Sequence, residues 1–113
     1  MQTPSDIYPC LTYTNAPAAI DWLCRAFGFT KQLVVDGPND TVRHSELSLG
    51  TGVIMVCSPR PDENRFGPPP NGTSLLSLSA YVADPDAHHQ QAVAAGARIV
   101  QHLTIPNSEQ GST

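Results

Sequence analysis

Two residues set the first chemical question: His44 and Glu46 lie two apart in the segment 41–49, whose alternation of polar and apolar residues reads as a β-strand. On a strand both side chains point to one face, with Ser48 beside them, while Leu47 and Leu49 point to the other. A histidine and a carboxylate converging on a cleft can ligate a metal, or act as general base and acid. The plain alternative is that they bond each other, or a cross-strand Arg or Lys; contact with a substrate is a third reading. Two donors without a third do not make a metal site. The same alternation puts Tyr8, Cys10 and Thr12 on one face of the segment 7–14. It also puts Ser77, Ser79 and Tyr81 on one face of 74–83, leaving Leu76, Leu78, Ala80 and Val82 for the opposite side. Together these residues describe one sheet face of hydroxyls, aromatics and one thiol. Such a face suits a small organic ligand held by apolar contact and a few hydrogen bonds.

The remaining reactive side chains point to packing rather than catalysis. Cys10, Cys24 and Cys57 form no pair at metal-ligand spacing and read as buried free thiols. Cys10 as a nucleophile needs a neighbouring base or cation, and its sequence neighbours offer neither. His88 and His89 are adjacent near the start of a helix, where side chains diverge by about 100°, and read as a solvated helix face. His102 has no assigned role. Trp22 and Phe27 flank an apolar helix stripe and read as core or dimer contact. There is no glycine-rich phosphate loop and no Ser/His/Asp set.

The elements that must carry these residues follow from local signals. Segment 7–14 is a strand, with Pro9 placing it beside an open edge or bulge. Asn15 caps a helix over 16–27, whose stripe is Ile20, Leu23 and Phe27, and Gly28 stops it. Strands follow at 29–36, 41–49 and 53–58, separated by turns at 37–40 and 50–52. The stretch 59–73 holds five prolines and two glycines, so it is a connecting loop. Its length and its Phe66 beside Arg65 fit a loop that packs over something, and a simple linker is the equal alternative. The opening pattern then returns: strand 74–83, cap Asp84, Pro85 at the first helical position, helix to 95, stop Gly96, strand 97–104. The caps are 69 positions apart and the stops 68, so a whole supersecondary unit repeats. The expected organisation is a single domain over 1–113: module one 7–58, connector 59–73, partial module two 74–104 and tail 105–113.

Composition bounds the partners. The chain has 113 residues, ten acids against six bases, and 40% apolar residues, which is globular and one domain in size. A pI near 5.3 argues against nucleic acid and anionic membranes. No apolar run reaches bilayer length and the start lacks a signal peptide's features, so a soluble, cytoplasmic protein with no membrane partner is expected.

The tandem β-α-β-β-β order, the stretch 8–29 from Tyr8 through Asn15 and Trp22 to Phe29, the phrase 44–47 followed by 53–56, and the second helix region 84–97 resemble the vicinal oxygen chelate superfamily. That group includes glyoxalase I, bleomycin-resistance proteins and extradiol dioxygenases, and the likeness is to its glyoxalase-like branch. The resemblance implies an α+β fold of tandem βαβββ modules forming curved mixed sheets with helices outside, the second module truncated after its second strand. It also implies metal ligands seven residues before each cap and on each module's fourth strand. Those positions are Tyr8, Ser77 and the carboxylate-free strand 53–58, with the fourth absent. The expectation is therefore no cofactor and no metal: a metal-free glyoxalase/bleomycin-resistance-like domain binding a small organic molecule in a concave cleft. Its expected ligand-binding residues are Tyr8, Cys10, Thr12, His44, Glu46, Ser77, Ser79 and Tyr81. The rival is a metal-dependent lyase or dioxygenase whose site, built on His44 and Glu46, is completed across a dimer. A homodimer is expected either way, because an unfinished sheet leaves an edge to cover.

Overall fold

The structure, a computed structural model, describes residues 6–69 and 77–99. Its elements are β1 (Cys10–Thr12), α1 (Ala16–Phe27), β2 (Thr30–Asp36), β3 (Val42–Leu49), β4 (Gly52–Cys57), a single 3-10 turn (Pro61–Glu63) and α2 (Pro85–Ala94). The four strands form one mixed sheet in the order β1-β4-β3-β2. The pair β1 and β4 is parallel, and the other two pairs are antiparallel. This is an α+β domain with a curved sheet.

Helix α1 forms where the sequence places it. The Asn15 side chain accepts from the Ala18 N–H at 3.2 Å, and Gly28 ends the helix at φ +83° with its N–H on Cys24 O. Ala16, Ile20 and Leu23 face the sheet and meet Val42, Leu47, Ile54 and Val56 in the core. No atom lies nearer than 4.0 Å to a Cβ built on Gly28, so Gly28→Ala meets no clash. The left-handed backbone alone should then cost about 1–2 kcal/mol. A urea melt is expected to show that loss in its midpoint with an unchanged slope.

Strand β1 is shorter than the expected 7–14, yet its pairing runs on. Pro9 O accepts from Met55 N at 2.8 Å, and Tyr13 N donates to Cys57 O at 3.1 Å. Proline can accept without donating, which fits an edge strand. The β2–β3 turn uses Asn39 and Asp40 at φ +57° and +59°. The β2–β3 register shifts between Lys31 and Leu33 and between Val35 and Asp36. Between β3 and β4 the regular register covers Leu47–Leu49 against Ile54–Gly52. Beyond it, serine hydroxyls take over. Ser45 Oγ donates to Val56 O at 2.5 Å and accepts from Val56 N at 3.1 Å, while Val42 N donates to Ser58 Oγ at 2.8 Å.

The second unit departs from expectation. Residues 77–83, placed on a strand by their alternation, carry no strand. Alternation selects a strand only where a neighbouring backbone completes the ladder, and among the described residues none pairs with this segment. The final expected strand, 97–104, shows none over 97–99, and its remainder, with His102, lies outside the described residues. Helix α2 is as expected at its start: Asp84 accepts from Ala87 N at 3.0 Å, with Pro85 at the first position. It closes with Gly96 N on Val93 O and Ala97 N on Ala92 O, Gly96 standing at φ +95°.

Candidate functional site

The sheet face turned away from α1 collects most of the polar residues singled out above. In β3, Ser45 and Leu47 are buried under α1, while His44, Glu46 and Ser48 are half-buried on the opposite face. Their β2 register partners Leu33 and Val35 share that face. His44 Nε2 and Glu46 Oε2 are 3.0 Å apart. An ionised carboxylate only accepts, so Nε2 carries the hydrogen. Ser48 Oγ accepts from Gln32 Nε2 at 2.8 Å. The two residues most able to act as base and acid thus engage each other.

At the β1 edge the same face carries sulfur. Cys10 Sγ lies 3.9 Å from Cys57 Sγ, and Thr12 Oγ1 lies 3.8 Å from Cys57 Sγ. Cys57 is buried, Cys24 is half-buried in α1 and Cys10 is exposed, so the expectation of three buried thiols holds for Cys57 alone. A polar residue of the connector reaches back over the pair: Arg65 Nη1 is 3.6 Å from Cys10 Sγ and 3.8 Å from Cys57 Sγ. Arg65 is held there by an Arg60–Arg65 bridge closing the Pro61–Glu63 turn, with Asn64 at φ +60° and an Arg60–Glu63 ion pair. Partial desolvation of its sulfur raises the Cys10 thiol although the residue as a whole is exposed, neighbouring Cys57 raises it further, and Arg65 pulls the other way without winning. Cys10 therefore keeps its proton at neutral pH and is a poor nucleophile, despite the cation that its sequence neighbours do not reveal.

Tyr8 is 46% exposed at the β1 end. Ser77 and Ser79 are exposed and Tyr81 is 88% exposed, in the segment that forms no strand. Among the described residues none of these three hydrogen-bonds to the sheet face. An open cleft of about 330 Å³ lies elsewhere, at the β2–β3 turn, lined by Gly37, Thr41, Arg43, Ser58 and Arg60 among others. It contains none of the eight expected ligand-binding residues.

His88 corrects the reading of a solvated helix face. Its Nε2–H donates to Phe27 O at 3.0 Å, its ring stacks on Phe27 at 5.7 Å, and its Nδ1 is buried without a partner among the described residues. Histidine is common at helix surfaces, and only the packing of α2 on α1 distinguishes this one.

A hard divalent metal needs several oxygen or nitrogen donors converging. Among the described residues no three His, Cys, Asp or Glu side chains converge. The positions that the superfamily resemblance implies as ligands carry a phenol at Tyr8 and a hydroxyl at Ser77, and β4 supplies no carboxylate. These residues do not fit such an ion.

Fold and face together define a glyoxalase-type α+β domain. The profile of the Glyoxalase/Bleomycin resistance protein/Dioxygenase superfamily matches residues 8–108, and the chain belongs to that superfamily. TioX from Micromonospora sp. ML1 is 34% identical, with a TM-score of 0.66 over 95% of this chain and 81% of that one. A gene product from Arabidopsis thaliana, 20% identical, shares the fold at a TM-score of 0.67 over 89% of this chain and 80% of its own. Among curated proteins there is no match. No helix among the described residues is long and apolar enough to cross a membrane.

Proposed function

We propose that this chain is a small-molecule-binding member of its superfamily, working without the divalent metal of the superfamily's enzymes, as a cytoplasmic homodimer with organisation 7–58, 59–73, 74–104 and 105–113. The observation that carries this reading is the His44–Glu46 hydrogen bond at 3.0 Å. It satisfies the face's best base and acid with each other and leaves a wall of Tyr8, Cys10, Thr12 and the register partners Leu33 and Val35 for apolar and hydrogen-bonded contact. Ser77, Ser79 and Tyr81 would close the wall from the second unit. Strand β2 supports the dimer: among the described residues it is a sheet edge, on which Leu33, Val34 and Val35 are 43%, 39% and 40% exposed. An apolar edge with open backbone groups invites a second copy.

A fragment library screened by NMR tests the reading. Hits are expected to shift the amides of Tyr8, Thr12, His44 and Glu46, and His44→Ala to weaken them by about tenfold, as loss of one hydrogen bond to a charged group would. Stoichiometric Zn²⁺, Ni²⁺ or Fe²⁺ binding that disappears in His44→Ala would sink it in favour of the metal-dependent enzyme. A monodisperse 12.1 kDa species in sedimentation at micromolar concentration would remove the dimer.

A further inference from the structure

We infer that Cys10, Cys57 and Met55 form a binding site for a soft monovalent cation of the copper(I) class, charge-balanced by Arg65. The site shares Cys10 with the wall proposed above but uses neither His44 nor Glu46, so metal binding and its loss are read separately from that ligand. Cys10 is the register partner of Met55 and Thr12 of Cys57 on the parallel strands β1 and β4. The two cysteines are thus diagonal neighbours on one face, and Met55, register partner of Cys10 and two residues before Cys57, belongs to the same face. Ile54 and Val56, on either side of Met55, are buried under α1, which fixes Met55 on the sulfur side.

A disulfide is the obvious rival use of two thiols 3.9 Å apart, and the register opposes it. A diagonal of two residues along a strand and one strand spacing across puts the Cα atoms about 8 Å apart. Bridging fails beyond about 7 Å without backbone movement. An ion asks less of the backbone, since it sits between sulfurs that already face each other. Thiolate and thioether donors select copper(I) over the oxygen-seeking divalent ions.

Charge sets the valence. On binding, each S–H bond breaks, two S–metal bonds form and both protons pass to buffer, with no change of oxidation state. The bis-thiolate complex of a monovalent ion carries one negative charge, which the guanidinium 3.6 Å and 3.8 Å from the two sulfurs neutralises. A divalent ion would leave the same cluster with a net positive charge.

Silver(I), the air-stable member of the class, is the probe, titrated as nitrate into chloride-free, reduced protein. One equivalent is expected to bind with a rising ultraviolet thiolate-to-metal absorption. Cys10→Ser alters an exposed residue and should fold. Its affinity is expected to fall by more than about a hundredfold, beyond what loss of an outer partner does. Arg65→Gln, which keeps all three donors, should lose about tenfold, in the range of an outer-shell partner. Cys24→Ser should bind as the wild type does. Binding that survives Cys10→Ser, or that vanishes in Cys24→Ser, overturns the site. So does rapid formation of an intramolecular Cys10–Cys57 disulfide with a low-molecular-weight disulfide.

Discussion

Trp22→Ala is expected to free α2 while leaving the sheet folded. Helix α2 buries only Ala92, so it has no apolar stripe to hold it. Among the described residues, what holds it is a short set of directional contacts with α1. Trp22 Nε1 donates to Ala95 O at 2.7 Å, and Gln91 Nε2 donates to Arg25 O at 2.8 Å. Trp22 also meets Phe27 edge-on at 5.2 Å, and Phe27 in turn stacks on His88. Removing the indole takes away the bond to the helix end and the ring that backs Phe27. For a half-buried tryptophan the loss should be about 3 kcal/mol, the low end for such truncations. Trp22→Phe keeps a ring there and should lose about 1 kcal/mol, the worth of one hydrogen bond. Because the lost contacts all lie between the helices, amide exchange should accelerate across 85–94 while Leu47 and Val56 stay protected. Equal loss of protection in the sheet would show instead that α2 is an integral part of one cooperative unit.

That docking marks where sequence reasoning stopped. The first unit was legible because its signals are local: an Asn cap, an apolar helical stripe, a glycine stop and alternating strands. The placement of His44 and Glu46 on one face followed from their two-residue spacing, with Leu47 and Leu49 marking the opposite side. The contacts that give the second unit and the sulfur cluster their character are long-range. Trp22 finds its acceptor 73 residues away and Arg65 finds Cys10 at a distance of 55, through a proline-rich loop with no periodicity to read. Conversely, the alternation of Ser77 to Val82 is a good strand signal in the sequence. It fails over the described part because a strand is a property of two backbones, and a pattern describes only one of them.

Ser45→Ala is expected to cost about 2–3 kcal/mol, large for the loss of a single oxygen, because it leaves two buried main-chain groups unpaired. Ser45 is fully buried beside Leu47, a polar residue in an apolar layer, and its hydroxyl serves both the N–H and the C=O of Val56, itself fully buried. The regular β3–β4 register begins only at Leu47, so this hydroxyl stands in for the ladder at that level. Alanine would return neither bond, and water cannot reach Val56 to replace them. Ser45→Thr keeps the hydroxyl and adds a methyl to a closed layer, an overpacking cost of about 1–3 kcal/mol. Thermal melts of the two variants separate the causes. Hydrogen exchange at the Val56 amide should accelerate in Ser45→Ala and stay slow in Ser45→Thr. Cys57 follows Val56 directly, so loosening β4 here also moves the sulfur that faces Cys10. Silver(I) affinity should therefore weaken in Ser45→Ala even though every donor atom remains, and unchanged affinity would show that Ser45 holds the strand without setting the position of the thiol.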